Sequence, residues 1–262
     1  MRQKLYQVDA FTSTPFAGNP AGVCVLDKAA SPQWMQDVAA EINASETAFL
    51  YPSEDGYNLR WFTPVVEVEL CGHATLASAH IIWEQRFLRR DQQIRFYTHS
   101  GVLTAAWADG WIRLDFPSEP PRAVAPPDGL LDALGTSAIY VGKNETRYLV
   151  EVESEEIVRK LTPDVAALFK AGGERVIVTS RSEDEKYDFV SRFFAPGMGI
   201  DEDPVTGSAH CCLAPYWTDK LGKTELTAYQ ASRRGGVLKV QVAGDRVIIF
   251  GQAVTVLEAE MK

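Results

Sequence analysis

The chain has 262 residues and a formal net charge of −9, with 46% hydrophobic and 23% charged residues. This acidic balance, with no basic patch, argues against nucleic acid or an acidic membrane surface as a partner. We therefore expect a small-molecule ligand. At roughly 100–200 residues per domain, the length predicts one large domain or two small ones.

The termini and cysteines give no sign of export or of metal binding. Residues 1–10 lack the apolar segment of a signal peptide, and no stretch reaches the roughly 18 apolar residues that span a bilayer. We expect a soluble, cytoplasmic protein. The cysteines lack the spacing of a disulfide framework or zinc site. Cys24, Cys211 and Cys212 are expected in the core, and the role of Cys71 is left open.

A β-hairpin is predicted at the beginning of the chain. Residues 5–11 and 21–26 have the apolar content of strands, and the turn-rich loop 14–20 joins them. Asn19 in this loop suits either a fixed amide for a polar substrate or a local turn. Ser31 then predicts the cap of a helix over 31–42.

Glu46 is the first candidate catalytic residue. If residues 44–50 form a strand, Glu46 shares a face with Ala48 and Leu50 and is buried among apolar groups. Burying a carboxylate is costly unless it has a partner or a function. The alternative is that Glu46 lies at the exposed beginning of the strand or caps a turn.

A helix of small residues over 73–86 follows a strand over 57–63 and contains the second candidate. Gly72 and His73 fall at its N-terminus, where the helix dipole disfavours imidazolium and predicts a neutral His73. A structural histidine is the alternative for a residue of this type taken alone.

The remaining elements divide the chain in two. Strands are predicted at 94–97, 102–107 and 111–116, the last two joined by the hairpin signal Asp109-Gly110. Further strands are predicted at 138–141, 147–152, 176–179 and 189–194, together with a helix over 162–170 that Thr162 caps. The proline-rich residues 118–128 predict a linker between domains at 1–117 and 129–262. A terminal strand over 254–259 is surplus to the second domain and is expected to return to the first.

The motif DEDPVTGSAH at residues 201–210 precedes a predicted helix over 207–219. Pro204 suits a helix entry, and the amides of Thr206, Gly207 and Ser208 are expected to face an anion unpaired. Asp203 is a candidate acid beside them. The alternative is an ordinary N-cap with nothing bound.

Similar segments recur about half a chain apart. Arg60 and Arg192 lie in matching segments 132 residues apart, and Ser78 and Ser208 in segments 130 apart. A tandem duplication is therefore predicted. The N-termini of the two small-residue helices are then expected to face a cleft between the domains and to bind an anionic substrate there.

Together these motifs resemble the PhzF-like proteins of phenazine biosynthesis, which share the fold of diaminopimelate epimerase. The resemblance covers nearly the whole chain and rests on residues 9–12, 15–20, 45–49, 71–75 and 202–209. It implies an α+β fold of two pseudo-symmetric domains, each a β-barrel-like sheet around a central helix. It also implies a cofactor-independent isomerase that moves a proton on a small carboxylate-bearing substrate. A homodimer is the expected assembly.

The resemblance also assigns roles to individual residues. Glu46 matches the principal acid/base, and His73, Asp203 and Ser208 match residues that line the site. With no metal and no cofactor expected, the predicted catalytic residues are Glu46, His73 and Asp203, and the predicted substrate-binding residues are Asn19, Gly72, Thr206, Gly207 and Ser208.

Two other functions remain open at this point. The related epimerases use one cysteine from each half, and the repeat pairs Asp203 with Cys71 at an offset of 132 or with His73 at 130. A two-base racemase using Cys71 and Asp203 is therefore the second interpretation. A non-catalytic binding or scaffold protein is the third, although a scaffold has no need of such a polar set. The substrate is not identified.

Overall fold

The computed structural model describes residues 3–261 and divides the chain into two compact units. The first comprises the chain up to Asp115 and again from Phe250, and the second comprises Phe116–Ile249. The first part of the chain forms β1 (Gln3–Ala10), β2 (Asn19–Val25), α1 (Pro32–Ile42), β3 (Glu46–Ser53), β4 (Gly56–Phe62), β5 (Glu67–Val68), α2 (Gly72–Glu84), β6 (Ile94–Thr98), β7 (Gly101–Ala108) and β8 (Trp111–Pro117). The remainder forms β9 (Arg122–Ala123), α3 (Leu130–Leu134), β10 (Tyr140–Lys143), β11 (Tyr148–Glu151), α4 (Glu155–Lys160), α5 (Val165–Lys170), β12 (Val176–Arg181), β13 (Phe189–Ala195), β14 (Ile200–Asp203), α6 (Gly207–Leu221), β15 (Glu225–Gln230), β16 (Gly236–Ala243), β17 (Arg246–Gly251) and β18 (Ala253–Met261).

The strands of the first unit form a mixed sheet. β1 and β2 are antiparallel, as the hairpin prediction requires, β2 and β3 are parallel, and β3 and β4 are antiparallel. β4 is antiparallel to β5 and parallel to β6, and β6 is antiparallel to β7. The turn Asp109-Gly110 joins β7 to β8 with φ values of 47° and 85°, so both turn residues have the positive φ of a type I′ hairpin. β18 lies antiparallel to β1.

The second unit repeats this order of pairing. β10 and β11 are antiparallel, β11 and β12 are parallel, and β12 and β13 are antiparallel. β13 is antiparallel to β14 and parallel to β15, and β15 is antiparallel to β16. Two successive arrangements of the same hydrogen-bonding order confirm the predicted α+β fold of two pseudo-symmetric halves.

Each unit has one long helix made largely of small residues. α2 is buried over nearly its whole length and contacts β1, β2, β3 and β18, which explains why it has no polar face. α6 is also largely buried and contacts β15 and β16. The alanines of both helices allow strands to approach closely on several sides.

The proline-rich segment 118–128 is hydrogen-bonded within the second unit. Pro215 lies inside α6 and has no N–H, so the carbonyl of Cys211 loses its helical partner. The amide of Glu119 donates to that carbonyl at 2.9 Å. Arg122–Ala123 adds a short strand that is antiparallel to β10.

Of two local predictions about helix caps, the structure agrees with one and differs from the other. Ser31 caps α1 as predicted, accepting from the amide of Trp34. The helix predicted to begin at Thr162 instead begins at Val165, because the side chain of Asp164 accepts from the amide of Ala167 and acts as the cap. The short helices α3 and α4 were not predicted.

An arginine–glutamate pair occurs at the same place in each unit. Arg60 on β4 binds both carboxylate oxygens of Glu67 on β5, at 2.7 Å each. Arg192 on β13 binds those of Glu202 on β14 at 2.7 and 2.8 Å. This placement agrees with the sequence alignment of Arg60 with Arg192.

These two pairs differ in one respect that can be tested. Arg192 also donates to the carbonyl oxygen of Leu161 at 2.6 Å, at the end of α4. We therefore expect Arg192→Met to lower the free energy of unfolding by roughly 2–4 kcal/mol, because it leaves a carboxylate and a helix-end carbonyl without their donor. The matched Arg60→Met should cost roughly 1–2 kcal/mol. Urea unfolding of both variants is the measurement. Equal losses of the free energy of unfolding would show that the bond from Arg192 to Leu161 adds no stability.

Candidate active site

Glu46 is the first residue of β3 and lies opposite Ala21 of β2. Its side chain is 13% exposed, whereas Ala48, Phe49 and Leu50 are fully buried. β3 is therefore buried on both faces over residues 47–50, and Glu46 lies at its partly accessible first position. This position combines the two sequence interpretations, because Glu46 begins the strand and is also largely enclosed.

His73 and Cys71 approach Glu46 from the beginning of α2. Cys71 is the N-cap residue of α2, and its side chain makes no capping hydrogen bond. The Nε2 atom of His73 lies 3.2 Å from Oε2 of Glu46, and its Nδ1 atom lies 3.5 Å from Sγ of Cys71. The sequence predicted His73 and Glu46 as site residues, and the structure brings them into contact with Cys71 beside them.

The charges of this cluster follow from its burial. Burial, and next the charge of Glu46, raise the pKa of the Cys71 thiol, so the thiol keeps its proton at neutral pH. Burial would lower the pKa of His73, but the neighbouring Cys71 sulfur and Glu46 carboxylate outweigh it and raise the pKa well above 6.5. The contact of 3.2 Å with the Glu46 carboxylate therefore favours the imidazolium form of His73.

The prediction of a neutral His73 does not agree with this raised pKa. It considered the helix dipole alone, which amounts to about half an elementary charge at the helix end. A full carboxylate charge at 3.2 Å acts more strongly on the imidazole than that partial charge does. The contact favours an imidazolium–carboxylate pair in this cluster.

Two atoms of this pair have no hydrogen-bond partner among the described residues. They are Oε2 of Glu46 and Nε2 of His73, which are buried and close together but not aligned for a hydrogen bond with each other. Buried polar atoms nearly always have a partner. An unaligned pair of this kind can act on a third group that enters between them.

Asn19 lies beside the same cluster but is not open to solvent. It is fully buried at the beginning of β2, and its Oδ1 accepts a hydrogen bond from the hydroxyl of Ser45 at 3.4 Å. Ser45 immediately precedes Glu46. The role that this geometry supports for Asn19 is to fix the backbone at Ser45; its contact with a substrate stays a prediction.

In the second unit, Asp203 ends β14 and Thr206 is the N-cap residue of α6. The hydroxyl of Thr206 donates to Oδ2 of Asp203 at 2.5 Å, and the amide of Thr206 donates to Oε1 of Gln230 at 2.8 Å. The amide of Thr206 is therefore satisfied, contrary to the expectation that it is left for an anion. Gln230 lies 24 positions away on β15 and was not predicted as part of this site.

Ser208 has a basic neighbour that was also not predicted. Arg147, which is 6% exposed, donates from Nη1 to the hydroxyl of Ser208 at 3.3 Å. Nη2 of the same side chain lies 3.1 Å from a carboxylate oxygen of Glu119. A buried guanidinium thus lies beside Gly207 and Ser208 at the beginning of α6, which makes this helix end more favourable for a carboxylate.

The helices also correct the alignment of the two halves. α2 begins at Gly72 and α6 at Gly207, so the repeat at this point has an offset of 135. Cys71 therefore corresponds to Thr206, and His73 to Ser208. Neither Cys71 nor His73 is the repeat counterpart of Asp203, and Ser78 is not the counterpart of Ser208.

His210 of α6 is a structural histidine. It is completely buried, and Nδ1 lies 2.8 Å from the carbonyl oxygen of Thr206, to which it donates. In the first unit the hydroxyl of Thr75 donates to the carbonyl of Cys71 at 2.6 Å, the same bond at the corresponding place. Burial lowers the pKa of His210 to about 4.

This shift predicts an acid-sensitive fold. Between about pH 6.5 and 4 the unfolded His210 binds a proton that the folded residue does not, so the stability is full above 6.5 and falls as the pH falls. The loss reaches roughly 3 kcal/mol at the lower end of this range. His210→Asn keeps a donor for the carbonyl oxygen of Thr206 and should remove this part of the pH dependence of unfolding. The control His99→Asn, on the surface, should leave that pH dependence unchanged. Identical slopes in the wild type and His210→Asn would show that His210 is not the group responsible.

Comparison with known proteins gives consistent matches over the whole chain. A family model described as phenazine biosynthesis-like protein, PhzC-PhzF, matches residues 8–259. The chain is 55% identical to an uncharacterized isomerase of Halalkalibacterium halodurans and 47% identical to one of Pseudomonas aeruginosa, in both cases over 262 residues that cover 100% of this chain and 99% of the other. A crystal structure of a PhzF-family phenazine biosynthesis protein from Enterococcus faecalis shares 41% identity, covers 100% of both chains and superposes with a TM-score of 0.96. These matches confirm the resemblance drawn from the motifs.

Membrane-crossing helices are not found in the part of the chain that is described, residues 3–261, since none of its helices combines the necessary length with sufficient apolar character.

Proposed function

Because the chain belongs to the phenazine biosynthesis-like (PhzC-PhzF) family and is an isomerase, we propose that it moves a proton on a small carboxylate-bearing substrate, with Glu46 as the acid/base. The observation that carries this proposal is the contact of 3.2 Å between Glu46 and the buried His73. No organic cofactor is needed for such a transfer, because a carboxylate both accepts and returns a proton.

The pair divides the chemistry between its two members. The ionised Glu46 removes a hydrogen next to a carbonyl or along a conjugated acid, and the same carboxyl group returns the proton at another carbon. The imidazolium of His73 donates a hydrogen bond to the negative charge that develops on the substrate, and it needs no reorganisation to do so. Exclusion of water by the surrounding apolar residues strengthens both interactions.

The two-base racemase gains no support from the first unit. A second base at Cys71 requires a thiolate, but burial and the charge of Glu46 raise the pKa of this thiol. The corrected repeat also gives Cys71 the counterpart Thr206, which is not a base at neutral pH. The roles of Asn19, Gly72, Asp203, Thr206, Gly207 and Ser208 in substrate binding stay predictions.

A substrate screen tests the proposal. Small enolisable carboxylic acids are incubated with the protein in D₂O, and proton NMR follows the loss of each C–H signal. We expect at least one acid to exchange a hydrogen only when the wild-type protein is present, with Glu46→Gln inactive in the same assay. Exchange at an equal rate with Glu46→Gln would contradict the assignment of Glu46.

A further inference from the structure

The cluster at the beginning of α2 offers three different ligand types for a metal ion. One potential ligand atom each from Glu46, Cys71 and His73 lies within 4.8 Å of the other two. Ligands of a tetrahedral zinc ion are 2.0–2.3 Å from the metal, which places them roughly 3.5 Å from one another. Nε2 of His73 and Oε2 of Glu46 already lie close to this separation, at 3.2 Å.

A second observation points to a ligand at the same place. Nε2 of His73 and Oε2 of Glu46 are buried and have no hydrogen-bond partner in the described part of the chain. The His73 side chain is only 6% exposed. No metal site was expected, because the spacing of the cysteines does not fit a zinc site. Cysteine spacing gives no information about Glu46, a glutamate 25 residues before Cys71.

We propose that Glu46, Cys71 and His73 bind a thiophilic divalent cation such as Zn²⁺, and that the bound ion inhibits the protein by occupying its acid/base. Thiolate, imidazole and carboxylate are the usual zinc donors, and three protein ligands leave one coordination position open. The ion is not a cofactor here, because a carboxylate held by a metal no longer accepts the proton of a substrate. The inhibition rests on the proposed function of Glu46, whereas the binding itself does not depend on the proposed reaction.

Proton balance gives this binding a signature. Cys71 must lose its thiol proton to form the Zn–S bond, and the ring nitrogen of His73 that ligates the metal must give up its proton as well. Both protons go to the solvent, so metal binding releases up to two protons per ion. The affinity therefore increases with pH.

Cobalt(II) provides a direct test, since it replaces zinc and gives a thiolate-to-cobalt charge-transfer absorption when a cysteine is a ligand. We titrate the purified wild-type chain with CoCl₂ and compare Cys71→Ser with the control Cys211→Ser, which changes another buried free cysteine. We expect one Co²⁺ per chain with this absorption in the wild type and in Cys211→Ser, displacement of Co²⁺ by ZnCl₂, and proton release in weakly buffered solution. Cys71→Ser should lose the absorption and at least about tenfold in affinity, the minimum expected when a ligand is removed.

A further variant allows the metal site to be tested even if Cys71→Ser does not fold. Glu46→Gln leaves the cysteine and the histidine in place and should bind Co²⁺ more weakly while keeping the thiolate absorption. The proposal is wrong if the wild type shows no thiolate absorption at millimolar Co²⁺, or if the absorption survives in Cys71→Ser, whatever the result for Cys211→Ser. None of these readings requires a substrate, so they distinguish failure of the metal site from failure of the proposed isomerase mechanism.

Discussion

Glu46→Gln should reduce turnover by a factor of at least roughly 10²–10⁴, the usual contribution of general acid–base catalysis, while the fold is unchanged. Gln keeps the size and shape of the side chain at the beginning of β3, but an amide neither accepts nor returns a proton at neutral pH. The measurement is kcat and kcat/KM for the substrate found by the exchange screen. Because the base acts in the transition state, we expect kcat and kcat/KM to fall together.

Two control variants make this loss specific. Glu41→Gln makes the same chemical change at an exposed position of α1 and should leave the rate within about twofold. Cys71→Ser changes the other neighbour of His73 and should cost less than about tenfold, because the protonated thiol transfers no proton in the proposed mechanism. A nearly normal rate for Glu46→Gln with an inactive Cys71→Ser would reject the mechanism in favour of a cysteine base.

His73→Leu should lower kcat/KM by roughly 10²–10³, the range found when a preorganised donor to a developing negative charge is removed. Leucine fills a similar volume, but it has no donor for the substrate and no charge for Glu46. His73→Gln restores a neutral donor near the position of Nε2 and should recover part of the rate. The same change on the surface, His99→Leu, should leave kcat/KM unaffected.

Thermal unfolding separates this catalytic loss from a structural one. Removing His73 leaves the carboxylate of Glu46 without its buried partner, at a cost of roughly 1–3 kcal/mol, which the fold should tolerate. A His73→Leu protein that is folded and as active as the wild type would show that the imidazolium does not act on the substrate.

The elements of the site that sequence could predict are those set by local pattern. Glu46 was singled out as a carboxylate on the same strand face as Ala48 and Leu50, and His73 by its place at the beginning of a helix of small residues. The resemblance to the family assigned both residues to the site. The contact between Glu46 and His73 depends on how β2, β3 and α2 pack together, which the local sequence pattern does not specify. The duplicated fold could be predicted because the segments around Arg60 and Arg192 are similar in sequence and lie about half a chain apart.

The elements that were missed depend on side chains from distant parts of the chain. Gln230 and Arg147 reach the beginning of α6 from separate strand regions, and the direction of a long side chain is not encoded in spacing. The offset between the helices was wrong for a simple reason. Fifteen positions separate Arg192 from Gly207, whereas twelve separate Arg60 from Gly72, and the second unit contains a 3₁₀ turn over Pro196–Met198 in this interval.

The protonation state of His73 shows the same limit. A helix N-terminus alone favours a neutral imidazole, but Cys71 at the cap of the same helix and Glu46 from β3 raise the pKa of His73. An electrostatic prediction made along one element therefore fails when a full charge arrives from a neighbouring one. The short helices α3 and α4 were missed because five or six residues contain too few turns to show a period.

Transfer of the proton by Glu46 is tested by solvent-deuterium incorporation into the product under single-turnover conditions, with wild type, Glu46→Gln and Cys71→Ser compared. We predict that the wild type and Cys71→Ser incorporate deuterium from D₂O at the carbon that receives the proton, at rates within about tenfold of each other, and that Glu46→Gln shows neither product nor incorporation above background. Incorporation by a folded Glu46→Gln protein at the wild-type rate would contradict the assignment of Glu46 as the acid/base.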